Sequence, residues 1–450
     1  MTQPGTTLIL PVENQVREFD AKLLLALAAA DRGFRVVIGS RNYVHFAADS
    51  LPRGVYLAKS MRALSSTMFD ILDQLGHRIV ALDEEGLVRP IDRWYYERRL
   101  SAKTMKRTAA LLAWGPSNAE TLEAFPDRGN VPIVVTGNPR VDMLRPECLP
   151  YYQPEADRIR AEYGPFLLVN SNFGHVNHYV ADLRLEVPRE GAYEDFASAL
   201  AAHRSTIFEH FQEMLPALCR SFPQHRVVLR PHPIESPARW APLAASQTNL
   251  TVASGGNVAP WLMSCDALVQ NGCQTAIEAF LIGAPTVSYK PVSSALDVAM
   301  IDDLTHVARD LSSLTGLLQR ALAGDLAPPN DAQTTAHLRH NLAALEGPLA
   351  CESILDVIEQ TLEAGPIAAP ALPQRAYGRA RNRVRTRLKQ RRARRAGSRA
   401  SHDYHDHRFP PLELDDVQRR ADQLAGQLGR FGGVRVQARS EHLFDVQRAD

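Results

Sequence analysis

Short aliphatic and β-branched runs alternate along the chain with longer stretches whose apolar positions recur every three or four residues. "LILPV" (8–12), "RVVIGS" (35–40), "HRIVALD" (77–83), "ALLAWG" (110–115) and "IVVTG" (133–137) read as strands, with a helix predicted near 17–32. The proline-rich stretch "NPRVDMLRPECLPYYQPEADRIRAEYG" closes this series and places a domain boundary near residue 150. A second series follows in "FLLVNS" (166–171), a long helix near 194–221, "HRVVLRP" (225–231), "LTVAS" (250–254), "ALVQN" (267–271) and "TVSYK" (286–290). This is the rhythm of βαβ units, so the fold class is α/β, with two doubly wound parallel sheets spanning 1–150 and 151–365. In such sheets ligands bind outside the carboxyl ends of the strands, and two facing halves would bring those ends to one interdomain cleft. Residues 324–337 read as a loop, 366–400 as a Pro/Ala-rich and then Arg-rich linker, and 401–450 as a partly helical C-terminal extension.

The chain has 450 residues and 45% apolar content, enough for two hydrophobic cores. Its five cysteines, Cys148, Cys219, Cys265, Cys273 and Cys351, are scattered without ligand spacing, as expected of reduced thiols in a cytoplasmic protein. The start "MTQPGTTLILPVE" has no basic leader pattern, and "LLLALAAA" is too short to span a bilayer. The net charge of +1 conceals an asymmetry: residues 374–400 hold eleven arginines, one lysine and no acid, leaving 39 basic against 50 acidic residues elsewhere. Such a block suits a solvated linker or an anionic membrane surface. Nucleic acid is not expected, because the remainder is acidic and carries no nucleic-acid module.

The predicted strand ends carry the chemistry. After the first strand, "ENQVREFDAK" places Glu13, Asn14, Arg17 and Glu18 before a helix. Arg17 and the helix N-terminus suit an anion or sugar hydroxyls, while the acids equally suit capping. "VALDEEGLVR" ends a strand in Asp83, Glu84, Glu85 and Gly86. Neighbouring carboxylates raise one another's pKa, which suits a general base working near neutrality; the alternative is a solvated acidic turn. "VVLRPHPIES" clamps His232 between Pro231 and Pro233, with Arg230 two residues ahead, an arrangement suited to a phosphate. "LVQNGCQTAIEAF" turns through Asn271, Gly272 and Cys273 into a helix starting near Gln274 and Thr275, where backbone N–H groups and a hydroxyl form an anion site. Glu278, one turn on, is placed for a ribose or sugar hydroxyl, unless this is only a capped core helix. "VNSNFGHVNHYV" offers Asn170, Ser171, Asn172 and His175 as substrate contacts, and Gly137, Asn138 and Pro139 read as a structural turn. No D-x-D follows a strand and the histidines lack helical ligand spacing, so neither metal nor cofactor is expected.

Taken in order, the acid-acid-Gly motif, the HP motif and the small/hydroxyl turn resemble glycosyltransferases of the GT-B architecture. The patterns are similar to those of bacterial sialyltransferases and capsule Kdo transferases, which use CMP-activated donors, and of surface carbohydrate biosynthesis proteins, over about residues 6–365. The resemblance implies a GT-B-like fold of two Rossmann-type domains with Glu85 as catalytic acid/base and Glu84 beside it. It further implies that His232 contacts the nucleotide phosphate and that Thr275 supplies the motif's hydroxyl. A third acid, Asp83, and the single hydroxyl of "NGCQTA" depart from the sialyltransferase pattern.

The expected activity is metal-independent transfer of a sugar, sialic acid-like or Kdo, from a CMP-type donor to a glycan or lipid-linked acceptor. The place expected for it is the inner face of the cytoplasmic membrane. Three competing readings are a non-hydrolysing UDP-sugar 2-epimerase, which shows similar "TGNPRVD" and "HP" patterns, a CDP-glycerol-type phosphotransferase, and a non-enzymatic assembly module.

Overall fold

The computed structural model describes residues 6–89, 92–180, 193–395 and 401–449. The fold is α/β and GT-B-like, built of two Rossmann-type units. The first unit begins with β1 (Thr7–Val12), α1 (Gln15–Asp31), β2 (Arg35–Ser40), β3 (Gly54–Ala58), α2 (Ser66–Leu75), β4 (Arg78–Leu82), β5 (Thr108–Ala113) and β6 (Ile133–Val135). These six strands are parallel neighbours in the order β2-β1-β3-β4-β5-β6. Helix α1 is buried over nearly its whole length, which explains why "LLLALAAA" is apolar on every face. The chain reverses direction across the sheet between β1 and β3, so the loops after these strands open the crevice where such folds bind ligands.

The second unit, Tyr152–Leu338, holds β7 (Phe166–Asn170), α3 (Tyr193–Ser221), β8 (Arg226–Arg230), β9 (Leu250–Val252), β10 (Ala267–Gln270), α4 (Thr275–Ile282), β11 (Thr286–Tyr289) and β12 (His306–Ala308). All pairings are parallel, in the order β12-β11-β10-β7-β8-β9. This is the strand order of the dinucleotide-binding fold, and its switch point lies between β7 and β10. Phe173, Phe208, Phe211 and Trp240 pack as tilted and edge-to-face rings in its core.

From Arg339 the chain rejoins the first unit, which corrects the expectation that the second domain runs to 365. Helix α5 (Ala350–Glu363) packs beside α1, with Arg32 Nη1 2.6 Å from Asp356 Oδ1 and 3.2 Å from Glu359 Oε2. Its opening N–H groups, on Ala350 and Cys351, are accepted by the Asp142 carboxylate at 2.8 and 2.9 Å. A remote side chain thereby supplies the cap that Leu349 lacks.

Residues 366–400, expected as a linker, contain the 22-residue helix α6 (Leu372–Ala393), docked on α2. Gly378 makes the close approach: a Cβ there would lie 2.8 Å from Gln74 Cβ. After α7 (His402–Arg408) and α8 (Leu414–Leu428), the antiparallel hairpin β13 (Val434–Ser440) and β14 (Leu443–Arg448) extends the first sheet. Strand β14 runs antiparallel to β2, with Phe444 opposite Ile38 and Asp445 opposite Val37. Residues 401–449 are therefore part of the first unit's sheet and helical cover, not an appendage.

Candidate functional site

In the first unit, the ends of β1, β3 and β4 converge on interlocked charges. Lys59 Nζ lies 2.6 Å from Glu13 Oε2 and 2.8 Å from Glu18 Oε1. Lys22 Nζ donates to Pro11 O at 2.7 Å and lies 3.2 Å from Glu18 Oε2 and 3.1 Å from Glu84 Oε1. Burial alone would lower the Lys22 pKa, but Glu84 and Glu18 outweigh it and hold the ammonium charged. Burial opposes ionisation of Glu18 and Glu13 too, and Lys59, with Lys22 or Arg408 and Arg41, holds both carboxyls well below their ordinary range. Around this network a cavity of about 10 Å³, near the room one water needs, is lined by Glu18, Lys22, Lys59, Glu84, Asn138 and Arg140 among others. Buried Glu84 Oε2 and Asn138 Nδ2 have no hydrogen-bond partner.

The three consecutive acids divide sharply. Asp83 is buried against Arg99, whose Nε donates to Asp83 Oδ2 at 3.0 Å, and its carbonyl accepts Trp114 Nε1–H at 2.7 Å. This buried ion pair gives Asp83 a structural place. Glu84 is buried on Lys22. Glu85 alone reaches the surface, its side chain 47% exposed, with Arg17 Nη1 3.2 Å from its Oε1. Its partial burial would raise the Glu85 pKa, but Arg17, then Arg99, Lys59 and Arg140, outweigh it and bring it down to about 2. The expectation that adjacent acids tune Glu85 upward is thereby corrected, because Asp83 and Glu84 are each paired with a cation of their own. The expectation of Glu13 and Arg17 as substrate contacts changes too. Glu13 is held by Lys59, by Arg41 at 3.2 Å and by Arg408 at 2.9 Å, and Arg17 is held by Glu85.

In the second unit, Asn170 ends β7, Arg230 ends β8 as its register partner, and Asn271 follows β10. Asn170 and Asn271 are each 3% exposed, and neither amide oxygen nor amide nitrogen of either has a hydrogen-bond partner. Two such carboxamides at the switch point of a Rossmann sheet are unsatisfied groups of the kind a bound polar ligand or water completes. The HP loop is fixed by a residue that sequence reasoning missed. Buried Glu235 accepts from Ser171 Oγ (2.8 Å), Phe173 N (2.8 Å), Asn177 Nδ2 (3.3 Å), Trp240 Nε1 (3.3 Å) and His232 N (3.3 Å). Ser171 is therefore engaged inside the protein rather than presented to a substrate, while His175 is exposed and Asn172 half-buried. His232 Nδ1 accepts the Ile234 N–H at 3.2 Å, so the neutral ring carries its proton on Nε2 and can donate there.

Two expected phosphate contacts are placed differently. Arg230 Nη2 donates to Gly255 O at 3.0 Å and Gly256 O at 2.6 Å, and its guanidinium lies 5.9 Å from the Trp261 ring centroid. Burial lowers its pKa to about 10 against the pull of Glu278 and Glu155, so Glu278, itself buried, stands near enough to act on Arg230. The N–H groups of Gly272 and Cys273 are taken by the Gln270 side-chain oxygen, at 2.5 and 2.9 Å. Gln270, at the last position of β10, competes with any anion for this turn, and only its place at a strand end hinted at the role. Thr275 Oγ1 lies 2.5 Å from Cys273 Sγ at the start of α4, preceded by half-buried Gln274. Pro233 is half-buried beside His232.

Lys22 and Lys59 were also absent from the sequence-based set, although a lysine interrupting "FDAKLLLALAAA" and another ending "VYLAKS" were the available signals. Among the described residues, one group of metal-type donors lies together, His405, Asp406 and His442. Both His405 nitrogens are engaged, Nε2 with Ser40 Oγ at 2.8 Å and Nδ1 with Asp406 at 3.0 Å, and the rings pack against Tyr43 and Phe409.

No protein-family model matches the chain, and no curated protein matches it. Solved structures do match in fold. The wall teichoic acid polymerase TagF is 11% identical, with 81% of this chain and 90% of that chain covered and a TM-score of 0.50. UDP-GlcNAc 2-epimerase from Methanocaldococcus jannaschii is 11% identical over 79% of this chain and 99% of that chain, with a TM-score of 0.47. The S. aureus MnaA–UDP structure is 11% identical over 80% and 97%, with a TM-score of 0.48. At 11% identity the likeness to TagF is one of fold.

Proposed function

We propose that the chain is a metal-independent glycosyltransferase of surface polysaccharide synthesis, of capsule or lipopolysaccharide type, taking a sugar from a nucleotide donor to a glycan or lipid-linked acceptor. The single observation that carries this reading is the pair Asn170 and Asn271, buried, unpartnered and flanking the switch point of the second sheet. Polar groups left unsatisfied inside a protein cost about 1–3 kcal/mol each, a cost relieved when a ligand pairs with them. A nucleotide is the ligand class that this strand order holds at that point. His232, through its Nε2–H, and Thr275 with the N–H dipoles at the α4 N-terminus then donate to the departing phosphate, a partial positive field that requires no metal. Glu85 takes the acceptor hydroxyl's proton. At a pKa of about 2 it is ionised but a feeble base, so the reading requires the acceptor to displace Arg17 and let the carboxylate's basicity rise.

CMP-type donors carrying a sialic acid-like sugar or Kdo are the first choice, on the motif resemblance. A CDP-activated polyol phosphate is the second, favoured by the fold likeness to TagF, whose structure was solved with CDPG soaked in. We place the reaction at the cytoplasmic face of the membrane; among the described residues no helix is long and apolar enough to cross it.

A Glu85→Gln variant tests the assignment, since it keeps the shape and removes the base. Turnover is expected to fall by about 10²–10⁴ with nucleotide binding unchanged. Turnover within a few-fold of the parent contradicts it.

A further inference from the structure

Helix α6 has its polarity reversed relative to an ordinary docked helix. Its inner face is polar or bare: Gly378 meets Gln74, and Asn382, fully buried, donates through Nδ2 to Phe46 O at 3.3 Å and Asp49 Oδ1 at 3.2 Å. Arg385 and Lys389 follow on the same side, half-buried. The outer face carries an apolar stripe among arginines. Tyr377 is 59% exposed, Val384 56% and Leu388 49%, at spacings of seven and four that align them in one stripe. Leu372, in the first turn, is 80% exposed. Arg387 and Arg391 stand along the stripe, both exposed, and the helix contains no acid to neutralise them, whereas Arg383 turns back to Asp49, its Nε 3.0 Å from Oδ2.

A surface helix gains nothing from facing large apolar side chains to water, and this one also repels itself electrostatically. Both costs are relieved by a partner that is apolar inside and anionic at its surface. A second copy of the helix would bring like charges together, and nucleic acid would leave the stripe uncovered. We propose that α6 lies flat on a bilayer containing anionic lipid, with Tyr377, Val384 and Leu388 entering the headgroup boundary and Arg387 and Arg391 on lipid phosphates. The inference stands independently of the catalytic reading. The Gly378 contact and the Asn382 bonds hold the helix on the folded unit, so docking fixes the orientation of that unit on the membrane.

The test is co-sedimentation of the full chain with vesicles of phosphatidylcholine alone or with a minority of phosphatidylglycerol, at physiological ionic strength. Binding is expected on the anionic vesicles and not on the neutral ones. The double variant R387Q/R391Q weakens it about thirtyfold, at about 1 kcal/mol for each arginine. The variant Y377S/V384S/L388S, with its charge intact, weakens it at least about tenfold through the lost apolar burial. Both variants change only outward-facing side chains, and an unchanged thermal transition verifies that they fold. Equal binding to both vesicle types overturns the proposal. So does a serine variant that binds like the parent, or tighter binding to single-stranded RNA than to the anionic vesicles.

Discussion

Arg17 Nη1 lies 3.2 Å from Glu85 Oε1, which ties the only surface-reaching acid of the "DEEG" turn to the first turns of α1. Arg17 is the largest of the charges that overcome burial and bring Glu85 down to about 2 from an ordinary 4.5. The sign is that of a depressed acid: the ionised form is held until the pH falls through the folded value. An Arg17→Gln variant therefore moves the Glu85 titration upward toward 4.5, and the acid limb of the pH–rate profile rises with it. A side-chain carboxyl titration by NMR reads this directly, and a limb that stays in place denies the pairing its role.

Asn271 offers a stability–function contrast. Replacing it by leucine, of similar shape, removes two buried unsatisfied atoms and should stabilise the ligand-free protein by about 1–3 kcal/mol. The same change should weaken nucleotide binding about tenfold, a loss of about 1.4 kcal/mol. Thermal melts with and without nucleotide measure both effects, and a variant that is destabilised when empty contradicts the assignment of an unfilled site.

Glu235 holds five donors from the two loops around His232. Glu235→Ala leaves them buried without an acceptor and should cost at least about 3 kcal/mol in denaturant unfolding, by the expense of orphaned polar groups. Glu235→Gln, which keeps an acceptor, should cost less. Equal costs for the two would mean that volume rather than hydrogen bonding is at stake.

Gly39 lets β14 approach β2. Its φ is +153°, and a Cβ there would lie 2.0 Å from His442 O, the carbonyl that accepts Ser40 N at 2.9 Å. Gly39→Ala should destabilise the fold by about 1–3 kcal/mol through overpacking and expose the terminal hairpin to protease. A hairpin as resistant as the parent's would show that its docking does not depend on this contact.

The two series of strands were legible because each is a local pattern of apolar residues ended by a polar turn, and Glu85, His232, Asn170 and Asn271 do stand at or just past the strand ends where that pattern put them. What stayed hidden depends on pairings between distant positions. Arg408 reaches Glu13 across 395 positions and the Asp142 carboxylate meets Ala350 N across 208, and no local pattern encodes either. The arginine-rich stretch looked like a linker because its helix contributes almost no apolar residue to the interior; a glycine and an asparagine make the docking contact instead. The pKa of Glu85 was misjudged for a related reason: three adjacent acids imply mutual repulsion, whereas Arg99, Lys22 and Arg17, brought by other elements, separate them into three ion pairs.

The central claim is that the second unit holds a nucleotide at its switch point, and titration calorimetry of the full chain with CMP, CDP, UDP and GDP tests it most directly. Saturable binding of a cytidine nucleotide is expected, weakened by Asn271→Leu and His232→Ala, with stabilisation of about 2.7 kcal/mol at a ligand concentration about a hundred times Kd. Absence of binding by all four nucleotides, or binding indifferent to both substitutions, would contradict it.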